Sequence, residues 1–327
     1  MRLLFVGDVM LGRVVNDILK ARSPGYPWGD TLPIFKTADW RACNLECVVS
    51  DKGAPWEITK KAFHFRSDPE NIEVLKAAGI NAVSLANNHA FDYGEEALKE
   101  TIAILDKNGI CRAGAGKNLS KAKEMAISEI AELKIGFLAL TDNEPEWAAE
   151  ENKPGIFYVP IVEGGIEARK FFREIRILKK SCDILVVSCH WGPNWGHLPE
   201  RCHIPFAKCC IDAGADIIFG HSPHVFRGIE IYKKKPIIYS AGDFINDYAV
   251  DEIERNDQSF IFIVETGHNA EIKRILLYPV KIADFQAKLA KGQEAEEIVS
   301  KMELLCRAFD TSIKWNDKEG MLEIAVS

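Results

Sequence analysis

Long apolar runs are missing from this chain. No stretch approaches the ~18 uninterrupted apolar residues of a membrane-spanning helix, which excludes a helical span in this sequence. A positive surplus is missing too: 41 Lys and Arg stand against 48 Asp and Glu, for a formal net charge of −7. A general nucleic-acid binder needs a basic face to neutralise phosphates, so that class is excluded. The short run Lys233, Lys234, Lys235 ahead of Pro236 has the composition of a solvated turn. There is no charged-then-apolar leader with a small-residue cleavage site; MRLLFVGD runs straight into what reads as a core strand. Nine cysteines, odd in number and scattered, lack the even, dense spacing of a disulfide scaffold. The expectation is a cytoplasmic protein with reduced thiols. Internal repeats and low-complexity tracts are also absent.

What is present is the balance of a globular protein, 47% hydrophobic and 27% charged over 327 residues. Short β-branched or aliphatic runs alternate with helical patterns. Strands are expected at Arg2–Gly7, Asp39–Asn44, Ala82–Leu85, Ile135–Leu140, Ile184–Ser188, Ile217–Phe219, Ile237–Tyr239, Phe260–Val264 and Ile272–Tyr278. Helices are expected over Pro69–Ala78 and Glu95–Asn108, each stopped by a glycine, Gly79 and Gly109. Strand–helix alternation implies a largely parallel sheet with covered faces, giving way to antiparallel pairing towards the C-terminus. The fold class is α/β, a sandwich with mixed sheets. One domain is expected over residues 1–285, followed by an appendage over 286–327: a polar helix, Gln286–Phe309, and a strand, Leu322–Ala325.

The chemistry-bearing side chains fall at strand ends. Asp8 follows Val6-Gly7, Asn44 and Glu46 close the second strand, and Asn87, Asn88 and His89 close the third, with Asp92 three residues on. His190 ends the run Ile184–Cys189, and His221 and His224 follow Ile217–Phe219. Ligands in parallel α/β sheets gather beyond the carboxyl ends of the strands. Alone, each residue is more simply a turn former, a helix cap or a satisfied core histidine. Five strand ends delivering carboxylate, amide or imidazole to one edge point together to a metal site. Cys202, His203, Cys209 and Cys210 resemble a second cluster, but Cys209 and Cys210 diverge by about 100° on a helical pattern; core thiols are the expectation there.

These residues lie in ordered blocks: Gly7-Asp8-Val9-Met10-Leu11-Gly12-Arg13, Asn44-Leu45-Glu46, Phe65-Arg66 before Pro69, Ala86-Asn87-Asn88-His89 with Asp92 and Gly94, His190-Trp191-Gly192, Gly220-His221-Ser222-Pro223-His224-Val225, and Tyr239-Ser240-Ala241-Gly242-Asp243-Phe244. In these blocks the chain resembles the CapA/PgsA proteins of poly-γ-glutamate capsule synthesis, whose fold is that of calcineurin-like metallophosphoesterases, a four-layer α/β/β/α sandwich. The resemblance implies that Asp8 and His224 hold one metal, and that Glu46 bridges to a second held by Asn88, His190 and His221. It departs from the common pattern in three places. Met10 stands where a histidine is usual, Pro193-Asn194-Trp195 where a glutamate follows His-Trp-Gly, and Asp243 where asparagine follows glycine.

An oxygen and nitrogen donor set without thiolate suits one or two divalent ions, Mn, Fe or Zn. The expected function is a metal-dependent hydrolase of the CapA/metallophosphoesterase type, using a metal-activated water on an anionic small molecule or polymer, a phosphoester or a γ-glutamyl amide. His89 is the candidate proton donor with Asp92 orienting it, and Arg13, Asn44 and Arg66 are candidates for holding the substrate. The alternative is an accessory protein of polymer synthesis that binds poly-γ-glutamate without cutting it.

Overall fold

A computed structural model describes residues 1–326. Among these, two large mixed sheets face each other. One has ten strands; its path begins at Lys314–Asn316 and runs through Met321–Ala325, Ile272–Ala283, Gln258–Thr266, Arg2–Val9, Trp40–Leu45 and Ala82–Ser84 to Cys111–Ala113. The N-terminal strands Arg2–Val9, Trp40–Leu45, Ala82–Ser84 and Cys111–Ala113 pair parallel, whereas Gln258–Thr266, Ile272–Ala283 and Met321–Ala325 pair antiparallel. The other sheet has six strands, with parallel Leu133–Thr141, Ile184–His190, Ile217–His221 and Lys235–Ile238 flanked by antiparallel edges.

The period-two pattern of the strands sets the layers, because alternate side chains leave opposite faces of a sheet. Leu3 and Phe5 enter a core shared with Phe137, Ala139, Ile184 and Val186 of the other sheet. Leu4 and Val6 point the other way, into a core closed by Val15, Val74, Leu75, Leu98 and Leu105 of the helices Arg13–Leu19, Ile72–Ala77 and Gly94–Lys107. Behind the six-stranded sheet, Leu138, Leu140, Leu185 and Val187 meet Phe171, Ile175, Phe206 and Cys210 of the helices Ile166–Leu178 and His203–Ala213. Helices, sheet, sheet, helices: this is the four-layer α/β/β/α sandwich anticipated from the sequence.

The C-terminal segment differs in detail from expectation. Gln286–Leu289 is a strand rather than the start of the helix, hairpinned onto Ile272–Ala283 through Asp284 and Phe285, both at positive φ, as a two-residue primed turn requires. Its polar sequence reads as helical because an edge strand keeps few of its side chains covered. The helix begins at Gln293 and runs to Arg307, burying Ile298, Met302 and Cys306 in the core between the sheets. Residues 286–326 thus contribute three strands to the ten-stranded sheet and a plug to the inter-sheet core. All nine cysteines are unpaired. No helix among the described residues is long and apolar enough to cross a membrane.

Candidate metal centre

Strand pairing places the donors. His190 and His221 end neighbouring parallel strands and are register partners. Asp8, at the end of the first strand, is the register partner of Asp243. That last pairing depends on Gly7, where a β-carbon would stand 1.7 Å from the Gly242 carbonyl oxygen; only glycine admits the approach, and the Asp8 N–H then donates to the same oxygen at 2.9 Å. Two residues beside the centre hold strained backbone, Arg13 at φ 54° and Ser222 at φ 106°, a feature that clusters at functional sites.

Two donor groups result. Ligand atoms of Asp8, His190 and His221 lie within 4.8 Å of one another, and so do those of Asp8, Glu46, His224 and Asp243. Asp8 is the carboxylate common to both groups, and Glu46, which the resemblance implied as the bridge, belongs to one of them. Asp8, Glu46, His190, His221 and Asp243 are all essentially inaccessible to solvent. Several of their polar atoms have no partner: Asp8 Oδ2 and His190 Nε2 are buried and unbonded, as is Asn88 Oδ1 on the adjoining loop. Native proteins rarely leave such atoms orphaned, and a missing ion is one recognised reason.

Charge points the same way. Burial first, then the neighbouring Asp243, lifts the Asp8 carboxyl to about 8. Glu46 is raised well above the usual range by burial and by Asp8 and Asp243. Asp243 is raised by burial, partly offset by His224. Burial holds His221 down at about 3 and His190 well below an ordinary imidazole. Burial would lower His224 as well, but Asp243, 3.0 Å from its Nδ1, outweighs it and the net shift is upward. Neutral imidazoles and crowded carboxylates in one dry space form a donor set that a divalent cation satisfies. The residues therefore fit the metal that the strand-end pattern implied.

A supporting network fixes the donors. Asn44, a candidate for holding the substrate, is fully buried; it donates to Asp8 Oδ1 at 2.8 Å and accepts from Asn87 at 2.9 Å. Ser188 Oγ sits 2.7 Å from His221 Nε2, which leaves Nδ1 on the side of Asp8. The Tyr248 hydroxyl reaches Glu46 at 3.4 Å. Lys61, almost wholly buried, donates to the Asn88 carbonyl at 2.5 Å and lies 3.5 Å from Asp92 and 3.2 Å from Glu144. It is a buried cation beneath the Asn88–His89 loop.

His89 and Asp92 meet as expected, Nδ1 to Oδ2 at 2.6 Å. The imidazole stacks on Phe65 with centroids 3.9 Å apart, and Asp92 Oδ2 also accepts the Phe65 N–H. Burial, then Lys61, keeps His89 well below an ordinary imidazole. Burial raises Asp92 to about 7 against the pull of Lys61. His89, His224, Arg13, Phe65, Trp195 and Tyr248 line a cavity of about 350 Å³. Arg13 lies over the Phe63 and Phe65 rings at its mouth and pairs with Asp247 at 3.3 Å.

Arg66 is not brought to this cavity. Its guanidinium stacks 3.6 Å from the Tyr93 centroid and donates to the Lys52 and Gly53 carbonyls, because its strand turns the side chain towards the 52–53 loop. Met10 is fully buried, its sulfur accepting the Gly12 N–H at 3.0 Å. The Pro193-Asn194-Trp195 departure forms a cavity wall, with the Asn194 carbonyl accepting the His224 N–H at 2.8 Å. Sequence reasoning missed Asp243, Tyr248 and Lys61 as site residues. For Asp243 a signal existed, a carboxylate just beyond Ile237–Tyr239; for Lys61 and Tyr248 there was none.

The family described as "Bacterial capsule synthesis protein PGA_cap" matches residues 2–248, which include every donor of both groups. The chain belongs to that family. Among curated relatives, a "Probable polyglutamine synthesis accessory protein" of Mycobacterium tuberculosis is 29% identical over 348 residues, covering 94% of this chain and 91% of the relative. The "PGA biosynthesis protein CapA" of Bacillus subtilis is 34% identical over 245 residues, covering 74% of this chain and 62% of the relative. Among solved structures, a hypothetical protein from Thermus thermophilus superposes with a TM-score of 0.53 at 16% identity, covering 86% of this chain and 100% of that one. This PGA_cap-family chain is thus similar in sequence to relatives named for PGA and polyglutamine synthesis and in overall fold to the Thermus protein.

Proposed function

We propose that the protein is a metal-dependent hydrolase of an anionic substrate, a phosphoester or a γ-glutamyl amide. The observation that carries this reading is one residue in two places: His224 belongs both to a donor group built around Asp8 and to the wall of the cavity that holds His89. Asp8, His190 and His221, with Asn88, would hold one ion, and Asp8, Glu46, His224 and Asp243 the other. Manganese, iron or zinc suits these oxygen and nitrogen donors. A bound divalent ion supplies Lewis acidity, polarising a substrate oxygen and acidifying water.

The remaining steps belong to the chain. The Asp92 contact occupies His89 Nδ1, which leaves Nε2 as the ring atom for the cavity. Stacking on Phe65 holds the ring in that attitude. The neutral ring, its Nδ1–H donated to Asp92, takes up a proton from the attacking water at Nε2 and passes it to the leaving oxygen or nitrogen, and the Asp92–Lys61 pair beneath steadies the transient imidazolium. Arg13, at the mouth, pairs with a phosphate or carboxylate of the substrate. The relatives named for PGA and polyglutamine synthesis favour the glutamyl polymer among the two substrates.

The test is turnover of bis(p-nitrophenyl) phosphate and of poly-γ-glutamate with added Mn²⁺, by the wild type and by His89→Ala. Hydrolysis of either that falls at least ~100-fold in the variant, the usual scale of general acid–base catalysis, supports the reading. Tight binding of the polymer with no cleavage under any metal would replace it with the accessory-binding reading.

A further inference from the structure

Outside these donor groups, the segment joining Ile184–His190 to the helix His203–Ala213 gathers a different set. Ligand atoms of Glu200, Cys202 and His203 lie within 4.8 Å of one another, with Cys202 Sγ 3.9 Å from Glu200 Oε2. The histidine separates this cluster from an ordinary surface grouping. His203 is fully buried and stacks on the Trp191 indole, centroids 4.8 Å apart and planes within 9°. Its Nε2 lies 3.0 Å from Asp142 Oδ2, while its Nδ1 is buried with no partner at all.

Asp142 settles the tautomer. A carboxylate oxygen only accepts, so the proton sits on Nε2 and the lone pair is left on Nδ1. The other Asp142 oxygen accepts the Gly192 N–H at 3.0 Å, which fixes the carboxylate. A carboxylate holding one imidazole nitrogen so that the other can ligate is the common support of metal-binding histidines. Nδ1 and the Glu200 side chain flank the same spot, 3.5 Å and 3.8 Å respectively from where a β-carbon on Gly192 would stand.

We propose that Glu200, Cys202 and His203 bind one zinc-class divalent cation, with Asp142 as the positioning residue. One carboxylate, one thiolate and one imidazole make a borderline-soft set, suited to zinc and unlike the oxygen–nitrogen centre around Asp8. Zinc bonds of about 2.0–2.3 Å place tetrahedral donors about 3.3–3.8 Å apart, so the Sγ–Oε2 gap needs only a slight closing. Three protein ligands leave one position open, which makes the ion exchangeable. The segment also carries Asn194 and Trp195 into the cavity wall. An ion here ties that wall to the Asp142 turn, itself bonded to the His190 carbonyl.

The test uses Co²⁺ as the probe on metal-stripped full-length protein, because a thiolate–cobalt charge-transfer band reports sulfur ligation and the Asp8 centre contains no sulfur. The band is expected in the wild type, in Asp8→Asn and in Cys209→Ser, the last removing an exposed thiol outside the cluster. It is expected to vanish in Cys202→Ser with an unchanged circular dichroism spectrum. In Asp142→Asn the apparent affinity is expected to fall about 10–100-fold. A wild type without the band, or a band that survives in Cys202→Ser, overturns the site whatever becomes of the hydrolase reading.

Discussion

Replacing Asp8 with asparagine should make the protein more stable than wild type without metal and less stable than wild type with it. Without a cation, Asp8 faces Glu46 and Asp243 across no more than 4.8 Å in a dry space. At an effective dielectric constant near 20, one fully ionised pair at that distance repels by about 3.5 kcal/mol. Protonation relieves part of this, since the Asp8 carboxyl is lifted to about 8, so removing the charge returns about 1–2 kcal/mol. The substituted amide keeps the acceptor for Asn44 and adds a donor where Oδ2 has no partner. A chain of 327 residues unfolds with an entropy of about 0.7 kcal/mol/K, so the variant should melt about 1–3 °C above wild type in EDTA. With Mn²⁺ at a hundred times its Kd, binding stabilises the wild type by about 2.7 kcal/mol, or about 4 °C. The variant, lacking the carboxylate common to both donor groups, should move by less than about 1 °C. Paired thermal melts in EDTA and in Mn²⁺ decide the matter. A variant that melts below wild type in EDTA, or that rises alongside it with metal, refutes Asp8 as the shared ligand.

Gly7→Ala forces a β-carbon against the Gly242 carbonyl, so urea unfolding in EDTA should show a loss of at least about 3 kcal/mol, with metal response gone from whatever remains folded. Arg13→Ala should raise KM about tenfold to a hundredfold, the equivalent of one charged hydrogen bond, and leave the melting temperature nearly unchanged. Arg66→Ala should do the reverse, costing stability through the lost Tyr93 stack and loop carbonyl bonds while KM stays put. Glu100 supplies a pH signature: burial pushes its carboxyl up, but the Ser50 hydroxyl, Lys52 and the Asp51 N–H together hold it down at about 2. A carboxyl depressed from 4.5 contributes stability that is fully present above about pH 5 and lost as pH falls towards 2. Glu100→Gln should therefore cost about 1–2 kcal/mol at pH 7, after discounting for solvent screening, and almost nothing near pH 2; a cost that does not vary with pH counts against it.

The layers of the fold were legible because burial on both faces writes itself into a strand. Ile184–His190 is wholly buried, and its unbroken apolar run announces a central parallel strand. The edge strand Ala126–Ile130 was not anticipated, since it is at best half-buried along its length and carries no such run. Gln286–Leu289 was misread for a related reason. Its pairing is set by the primed turn at Asp284-Phe285, and a phenylalanine stands at the second turn position, where glycine is the usual signal. Strand ends also extended further than the apolar runs, which is why His190 and His221 lie in register on the ladder itself rather than in the loops beyond it.

Within the centre, sequence spacing singled out Asp8, Glu46, His190, His221 and His224 but not how the folded chain groups them. Which carboxylate is shared depends on the lateral pairing of Asp8 with Asp243, a contact between distant segments of the chain that no local pattern encodes. That pairing also joins two departures that look unrelated along the chain. Where a histidine is usual, Met10 turns its sulfur into the core and donates nothing to the centre. Where asparagine is usual, Asp243 places a carboxylate in the donor group of Asp8, Glu46 and His224. The group has four donors, three carboxylates and one imidazole. A set that hard and anionic would suit manganese better than zinc. Metal preference in Asp243→Asn should shift accordingly: elemental analysis after equal exposure to both ions should show manganese falling relative to zinc. An unchanged ratio would show that Asp243 does not ligate and that the two departures are independent.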